Sequence, residues 1–272
     1  MRHQKCPLRV FLVELYCSPN SIVVIPAMSG FLKQSNDLLS KSWKVESSKE
    51  PFYTGGKAEL TSDFLVCMHN ENVKVVNWNS GTVVMTLFDD NNADISDDVV
   101  SFAIHPVNFE IVIATSAGLL RHYVQDPEKL GAKSLVVARS MKAHTLPILC
   151  MCYDPTGTLV ATGSTDRTAK VWDIEKGYCT HSFRDHSESV SLVRFHPDPM
   201  NLCLLTASHD CTLKYFDLVD SKCVASHGEH ISLPTAVDWA PDKYLMVSAG
   251  RDKVSIIFSS LQYFFMHAWM HP

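Results

Sequence analysis

The chain has 272 residues, of which 46% are hydrophobic and 19% charged, and its formal net charge is −5. This balance excludes a disordered chain and is typical of a soluble globular protein with enough apolar residues for a large core. It also excludes an autonomous nucleic-acid binder that depends on a basic field, and no run of about 20 apolar residues predicts a membrane helix.

Short strands separated by turns are predicted from about residue 57 onward, beginning with two irregular repeats. The first repeat combines a short strand near 58–60 with three strands over 64–88. The second repeat gives strands at 99–106, 110–116 and 119–124, and the acidic segment 89–98 is predicted to be a solvated loop. β-branched residues within the runs and Gly, Asn, Asp and Pro between them favour strands over helices.

The next three repeats are more regular. The third is predicted to contain strands at 147–154, 158–164, 169–174 and 178–183, and the fourth repeats this order with VSLVRFHPDP, CLLTASHD, LKYFDL and CVASHG. The fifth gives TAVDWAPDK, LMVSAGRD and VSIIF and stops one strand short. Such a period indicates an array of small β-units, each of which needs its neighbours to bury its faces.

One spacing recurs in the regular repeats. A His is followed by a turn Pro eleven residues later and by an Asp eleven or thirteen residues beyond that. The copies are His144, Pro155 and Asp166; His186, Pro197 and Asp210; and His230, Pro241 and Asp252. The second repeat has Pro106 but lacks the His, because Ile95 stands eleven residues before that proline.

Each of these aspartates has a hydroxyl residue four positions earlier and an aromatic residue six positions later. The flanking pairs are Thr162 and Trp172, Thr206 and Phe216, and Ser248 and Phe258. A His, a hydroxyl and an Asp also make up a catalytic triad, but a triad needs one exposed nucleophile beside an oxyanion hole. Because the set recurs in three adjacent repeats, we interpret it as a buried hydrogen-bond network rather than a catalytic site.

The nine cysteines do not predict a metal site. Cys150 and Cys152 share one face of a predicted strand, but no Cys-x-x-Cys pair occurs and the other ligands of a tetrahedral site have no recognisable spacing. We therefore expect free thiols, no bound metal and no cofactor.

These residues resemble the WD-repeat β-propeller family. Ala143-His144 stands where that family usually has Gly-His, and Trp172-Asp173 matches its Trp-Asp dipeptide. The resemblance implies an all-β fold of four-stranded blades in a radial array, with His144, Thr162, Asp166 and Trp172 joined by hydrogen bonds. Since Phe216 and Phe258 have no ring N–H, the networks of the fourth and fifth repeats each lack one bond.

Shorter motifs narrow the resemblance to the transducin-beta-like subunit of the small-subunit processome, a member of the UtpB subcomplex. They are the segments 50–60, 195–199 and 248–253. This resemblance implies a non-catalytic scaffold in the nucleolus that works in pre-rRNA processing and small ribosomal subunit biogenesis. The implied partners are other UtpB proteins, with pre-rRNA or snoRNA contacted inside the assembly.

The resemblance covers about residues 40–258, the predicted partial propeller of about five blades, the last of them truncated. Residues 1–39 and 259–272 match no blade and are predicted to be an N-terminal extension and a C-terminal tail. The segment 43–47 could pair with an open strand edge, as the resemblance implies. The residues just before each network Asp, which are Thr165, His209 and Arg251, are candidates for partner contact, although each is equally well explained as an ordinary exposed loop residue.

Two other functions remain as alternatives. One is a substrate-receptor adaptor of a cullin-type ubiquitin ligase, or another generic WD-repeat scaffold. Many such adaptors carry Trp-Asp-x-Arg, and here Glu175 stands at the Arg position. The other is a hydrolase that uses His144 or His186. It depends only on the triad-like composition.

Overall fold

The computed structural model describes residues 57–61, 64–69, 72–77, 82–87, 97–126, 134–240 and 245–259, and the backbone of two further strands at 11–18 and 21–27. Every regular element among the described residues is a β-strand. The chain divides into two compact units, Met1–Asn91 and Asn92–Pro272. None of the described residues forms a helix that is long and apolar enough to span a membrane.

The first unit contains two antiparallel sheets. Strands β1 (Phe11–Ser18) and β2 (Ser21–Ala27) form a two-stranded pair. The first four-stranded sheet consists of β3 (Ala58–Leu60), β4 (Phe64–His69), β5 (Asn72–Asn77) and β6 (Thr82–Leu87), hydrogen-bonded in chain order. Val66, Val75 and Val76 are fully buried in it.

The second unit contains four antiparallel sheets, each with its strands bonded in chain order. The second sheet consists of β7 (Val99–Ile104), β8 (Ile111–Thr115), β9 (Leu119–Gln125) and β10 (Leu135–Lys142), and the third of β11 (Ile148–Tyr153), β12 (Leu159–Ser164), β13 (Ala169–Asp173) and β14 (Tyr178–Phe183). The fourth consists of β15 (Val190–Phe195), β16 (Cys203–Ser208), β17 (Leu213–Asp217) and β18 (Lys222–His227), and the fifth of β19 (Pro234–Trp239), β20 (Leu245–Gly250) and β21 (Ser255–Ser259).

The sheets of the second unit share one construction. The pairing of the first two strands shifts near the start of the first strand in every sheet, for example between Ile148 and Cys150 and between Val190 and Leu192. In the third and fourth sheets the pairing of the last two strands also shifts beside the aromatic residue, Trp172 or Phe216. Such bulges increase the local twist. Their recurrence shows that the sheets are copies of one unit.

Burial differs systematically from strand to strand. Every residue of β8 and β16 is buried, whereas β10 is exposed along most of its length. A strand that is covered on both faces reads as a continuous apolar run, because neither face meets water. The inner strands are therefore covered by neighbouring sheets, and the fourth strands lie at the solvent side.

The core of the second unit lies between adjacent sheets rather than inside any one of them. Trp172 of the third sheet packs with Val112 and Leu120 of the second. Phe216 of the fourth sheet stacks on Phe183 of the third, with ring centroids 4.2 Å apart. Since each sheet buries its faces only against its neighbours, stability comes from the array, as the repeat period predicts.

The predicted all-strand array of repeats is confirmed for the described residues. The fifth sheet has three strands among the described residues, and the predicted absence of a fourth strand concerns residues 260–272, which lie outside them. The predicted loop at 89–98 and the segment 43–47 lie largely or wholly outside the described residues, as do Pro241 and residues 260–272.

Three differences stand out. The fourth strand of the second sheet, β10, was not predicted. The strand pair β1–β2 falls in the segment predicted only as an unmatched extension. Ser259 ends β21, although the predicted tail begins there. The limits of the extension, the propeller and the tail otherwise stay predictions.

Candidate functional site

The His144 network joins the segment before the third sheet to three of its parts. His144 Nε2 lies 2.8 Å from Thr162 Oγ1 on β12, and His144 Nδ1 lies 2.8 Å from Asp166 Oδ2 in the turn after β12. Trp172 on β13 donates its indole N–H to Thr162 Oγ1 at 3.0 Å. The His144 and Thr162 side chains are fully buried. The structure thus brings together all four residues of the third repeat.

When His144 is neutral, each group of this network donates to the next, from the indole through Thr162 and His144 to Asp166. The Asp166 carboxylate accepts from Nδ1–H, so Nε2 is left as an acceptor for the hydroxyl hydrogen of Thr162, whose oxygen accepts the indole N–H. A proton on Nε2 would force Thr162 to donate elsewhere, and the nearest alternative is the Lys170 carbonyl at 3.4 Å. The network therefore favours the neutral imidazole.

The pKa values agree with this assignment. Burial lowers the pKa of His144 below 6.5, although the hydrogen bond to Asp166 opposes it. Burial alone would raise the pKa of Asp166, but hydrogen bonds from Thr168 and His144 outweigh it, so that pKa lies below 3.8. At neutral pH the His144–Asp166 pair is therefore a neutral imidazole beside an ionised carboxylate.

The same geometry recurs in the fourth and fifth sheets. His186 lies 3.0 Å from Asp210 Oδ2 and 2.7 Å from Thr206 Oγ1. His230 lies 2.9 Å from Asp252 Oδ2 and 2.7 Å from Ser248 Oγ.

In both sheets a phenylalanine ring stands at the position of the indole, so no ring N–H is donated there. Phe216 stacks on Phe183, and the Phe258 ring lies 4.5 Å from the His227 ring. The aromatic position therefore serves packing between sheets even where it donates no hydrogen bond.

The carboxylates of these two sheets are strongly stabilised in their ionised form. Burial opposes this for Asp210, but hydrogen bonds from Thr212 and His186 lower its pKa to about 2. The hydrogen bond from His230, with the backbone N–H of Val254, lowers the pKa of Asp252 to about 2. For His186, burial is again the main cause of a lowered pKa.

Two threonines belong to the networks and were missed in the sequence. Thr168 Oγ1 donates to Asp166 Oδ1 at 2.6 Å, and Thr212 Oγ1 donates to Asp210 Oδ1 at 2.6 Å. Each also lies 3.2–3.3 Å from Nδ1 of its network His. A sequence signal for them exists, because both threonines stand two residues after the network Asp. The fifth sheet has Val254 at this position and keeps only the backbone bond, at 3.0 Å.

The candidate partner residues lie in equivalent turns at one edge of the three sheets. Each donates its backbone N–H to the segment that precedes its own sheet: Thr165 to Pro147 O at 3.0 Å, His209 to Ser189 O at 2.9 Å, and Arg251 to Leu233 O at 3.0 Å. His209 and Arg251 are exposed, whereas Thr165 is half-buried and its hydroxyl also contacts Pro147 O. Their side chains are thus unequally available to a partner.

The turns that hold the network aspartates are strained at one position. Arg167, Cys211 and Lys253, each directly after the Asp, have φ values of 67°, 65° and 62°. Non-Gly residues rarely adopt this left-handed conformation. The Asp side chain bonds the backbone N–H two residues on, and this holds each turn in place.

The second sheet has no such network. The pairings Ile111↔Tyr123 and Val160↔Trp172 place Tyr123 where the third sheet has its indole, and Ile113 falls where that sheet has Thr162. Both side chains are buried. The apolar Ile113 thus stands where the third sheet has the Thr162 hydroxyl, and the Tyr123 ring stands where it has the indole.

The networks do not have the arrangement of a nucleophilic site. In each one both imidazole nitrogens are already paired, and the hydroxyl that a triad would use is fully buried. Over the described ranges, no group of three His, Cys, Asp or Glu residues is placed to hold a metal ion. The arrangement can position turns and linkers. It presents no exposed nucleophile to a substrate.

Comparisons with known proteins place the chain in a family. Residues 136–173 and 177–217 match the model of the WD domain, G-beta repeat. Transducin beta-like protein 3 of Rattus norvegicus is 35% identical over 225 residues, which cover 82% of this chain and 27% of the relative. The Homo sapiens protein of the same name is 39% identical over 219 residues, which cover 79% of this chain and 26% of the relative.

Two further matches are shorter or more distant. U3 small nucleolar RNA-associated protein 13 of Saccharomyces cerevisiae is 45% identical over 60 residues, 22% of this chain and 7% of that protein. Among solved structures, a chain of the crystal structure of the mitotic checkpoint complex has a TM-score of 0.61 at 17% identity, covering 75% of this chain and 61% of that one. The latter likeness concerns the fold alone.

The matches and the sheets agree on the fold. The matched WD repeats coincide with β10 to β17, and four of the described sheets are antiparallel four-stranded units in chain order. The chain spans about a quarter of the length of the transducin beta-like relatives. The predicted fold is confirmed: this chain is a WD-repeat β-propeller protein, similar over most of its length to transducin beta-like protein 3.

Proposed function

We propose that this chain is a non-catalytic scaffold of the small-subunit processome, which acts in the nucleolus on pre-rRNA during small ribosomal subunit biogenesis. Its similarity to transducin beta-like protein 3 and to U3 small nucleolar RNA-associated protein 13 supports this role. Because the chain covers only part of each relative, their whole-protein roles are carried over here as a proposal.

The observation that carries the scaffold role is the repetition of the buried network. An active site is built once, whereas the His, hydroxyl and Asp set recurs at equivalent positions in three sheets. In each copy the polar groups satisfy one another and lie below the surface. They stabilise the array, and the surfaces left for function are the turns at its two edges.

The proposed partners are other UtpB proteins of the processome. With a net charge of −5 the chain has no general basic field for RNA, so we propose that pre-rRNA or snoRNA is reached inside the assembly rather than bound by this chain alone. We propose that the turns of Thr165, His209 and Arg251 contribute to partner contact, and that residues 40–258 are the part that carries the role.

Immunoprecipitation of the tagged full chain from nucleolar extract tests this proposal. We expect enrichment of precursors of 18S rRNA, of U3 RNA and of UtpB proteins, measured by hybridisation and mass spectrometry. The triple variant Thr165→Ala, His209→Ala, Arg251→Ala should reduce this enrichment. The matched control Ser140→Ala, Ser182→Ala, Lys222→Ala changes exposed outer-strand residues and should not.

Recovery of neither processome proteins nor precursor RNA with the unaltered chain would overturn the scaffold role. Equal recovery with both variants would remove the three turn residues from the proposed contact surface and leave the scaffold role in place.

A further inference from the structure

One face of the fifth sheet can be compared with the same face of the second, third and fourth sheets. Strand pairing places three residues of each sheet in one row across its first three strands, and directly paired residues point to the same face. From the second sheet to the fifth, these rows are Ala103, Val112 and His122; Cys152, Ala161 and Val171; Arg194, Leu205 and Tyr215; and Asp238, Val247 and Ile257.

The row is exposed in the fifth sheet and buried in the other three. On the second and third strands of those three sheets its residues are all buried, namely Val112, His122, Ala161, Val171, Leu205 and Tyr215. In the fifth sheet Val247 is 39% exposed and Ile257 is 68% exposed. Because Val247 lies on the central strand, its exposure shows that the face itself is open to solvent. We name this surface the open face.

The corresponding faces of the other sheets form the junctions of the array. Leu205 and Tyr215 of the fourth sheet pack in one cluster with Val237 and Trp239 of the fifth. The rings of Tyr215 and Trp239 meet edge to face, with their centroids 6.1 Å apart. The third sheet packs on the fourth in the same way, and the second packs on the third. The open face is therefore a junction surface without a covering sheet among the described residues.

The open face keeps the apolar character of a junction surface. Val247 and Ile257 form its centre, and Ala236 is paired with Ala249 beside them. Among the described residues of this face there is one carboxylate, Asp238, and no cation. Contiguous apolar side chains exposed on a sheet mark an interaction surface, whereas single ones are ordinary. The small charge of this face fits a nucleic acid or a charged peptide poorly.

We propose that a second copy of this chain covers the open face, so that two fifth sheets stack face to face. The contact continues the sheet-on-sheet packing that the chain already makes at three junctions. Its partner surface must be flat, apolar and open, and the open face of a second copy has these properties. The equivalent faces of the second to fourth sheets are already buried. Contact of one patch with its own copy gives a closed twofold dimer.

The size of the open face determines the strength expected of this contact. Three strands about 4.8 Å apart and about 20 Å long give a face of about 14 by 20 Å. This is small beside the interfaces of stable dimers, so we expect association in the micromolar range. Each copy has a net charge of −5, and the two copies therefore repel one another. Added salt should screen this repulsion and strengthen the dimer.

Sedimentation velocity of the full chain, from about 1 to about 200 µM, tests the proposal. We expect the weight-average mass to rise with concentration from 30.4 kDa toward twice that value, and to rise further with salt. The variants Val247→Asp and Ile257→Asp should each weaken association at least about tenfold, because the dimer would bury an unpaired carboxylate. Both side chains are exposed in the single chain, so the variants should fold. Unchanged melting temperatures check this.

Two control variants separate the contact from a general effect of charge. Ile257→Lys makes the net charge less negative and should still weaken association, because it also buries an unpaired charge. Val107→Asp with Val219→Asp changes two exposed apolar residues in turns away from the open face and should leave association unchanged.

A chain that is monomeric at every concentration would overturn the proposal. Association that survives both Val247→Asp and Ile257→Asp would overturn it as well, because the contact would then lie elsewhere. The scaffold role is tested separately by the recovery of processome proteins and precursor RNA. Loss of self-association with intact recovery means that this inference alone is wrong.

Discussion

The second and third sheets fill corresponding buried positions with different side chains. In the third, His144, Thr162 and Trp172 fill the space with hydrogen-bonded polar groups. In the second, Ile113 and Tyr123 occupy the corresponding positions, and the turn after β8 is held instead by Asp97, which accepts the N–H of Ala117 at 2.7 Å. The His network is therefore not required to form a sheet of this kind.

The difference lies in what happens when one group is lost. A buried apolar side chain such as Ile113 loses packing energy in proportion to the atoms removed. A buried network leaves the partners of the missing group unpaired, and each costs about 1–3 kcal/mol. The third, fourth and fifth sheets should accordingly be more sensitive to polar substitution and to pH than the second.

Acidification should produce the largest effect. The pKa values of His144 and His186 lie below 6.5 in the folded chain, so the unfolded chain binds more protons as the pH falls through that value and the free energy of unfolding decreases. Asp210 and Asp252, with pKa values of about 2 against 3.8, add a further decrease as the pH falls below about 4.

Native-state amide hydrogen exchange at pH 7.5 and 5.5, corrected for the intrinsic exchange rates, measures the loss of stability separately in each sheet. Protection should fall more on β12 and β16 than on β8. Equal losses on all three strands would show that the networks are not the source of the acid sensitivity.

Removal of the central hydroxyl should have the next largest effect. Thr162→Val leaves both His144 Nε2 and the Trp172 N–H without a partner, and should lower the free energy of unfolding by about 3 kcal/mol. Thr206→Val leaves only His186 Nε2 unpaired, because Phe216 has no ring donor, and should cost about 1.5 kcal/mol. Urea denaturation measures both, and equal costs would argue against the role given to the indole.

The reverse change in the second sheet should also destabilise the chain. Ile113→Thr introduces a hydroxyl into the repeat that has Ile95 in place of the network His, and it removes apolar volume, with an expected cost of about 2 kcal/mol. Ile113→Val, which removes only a methylene group, serves as its control and should cost about 1 kcal/mol. Identical costs for the two variants would mean that the hydroxyl finds a partner or water there.

A smaller effect than that of Ile113→Thr is expected from substitution at the aromatic position. Trp172→Phe gives the third sheet the residue found in the fourth and fifth, loses one hydrogen bond and some buried area, and should cost about 1.5 kcal/mol. Thermal unfolding monitored by circular dichroism measures the change. An unaffected midpoint would show that packing alone determines this position.

Much of the fold could be predicted because each repeat carries its own local signals. The β-branched runs and the Gly, Asn and Asp breaks predicted β11 to β21 closely, since strand pairing within a sheet is between neighbours in the chain. The strand β10 was missed because its sequence is mostly exposed and has neither the alternating pattern of a half-buried strand nor a turn signal in common with the other repeats.

The site was only partly predictable. The His, hydroxyl, Asp and aromatic positions follow from a fixed spacing, whereas Thr168 and Thr212 enter the networks because the left-handed residue before each one turns the chain back toward the carboxylate. The spacing of residues in the sequence does not show that the chain turns through a left-handed residue at these positions.

The sequence by itself determined the repeat, its strands and the polar set, because these depend on local periodicity and on residue types at constant intervals. Only the tertiary structure decided which of these groups meet across the array. It paired Phe216 with Phe183, and it placed Ile113 and Tyr123 of the second sheet where the third sheet has Thr162 and Trp172. The physical reason is that contacts between sheets join residues far apart in the chain, such as Phe183 and Phe216, and their partners are set by how the sheets stack rather than by any local pattern.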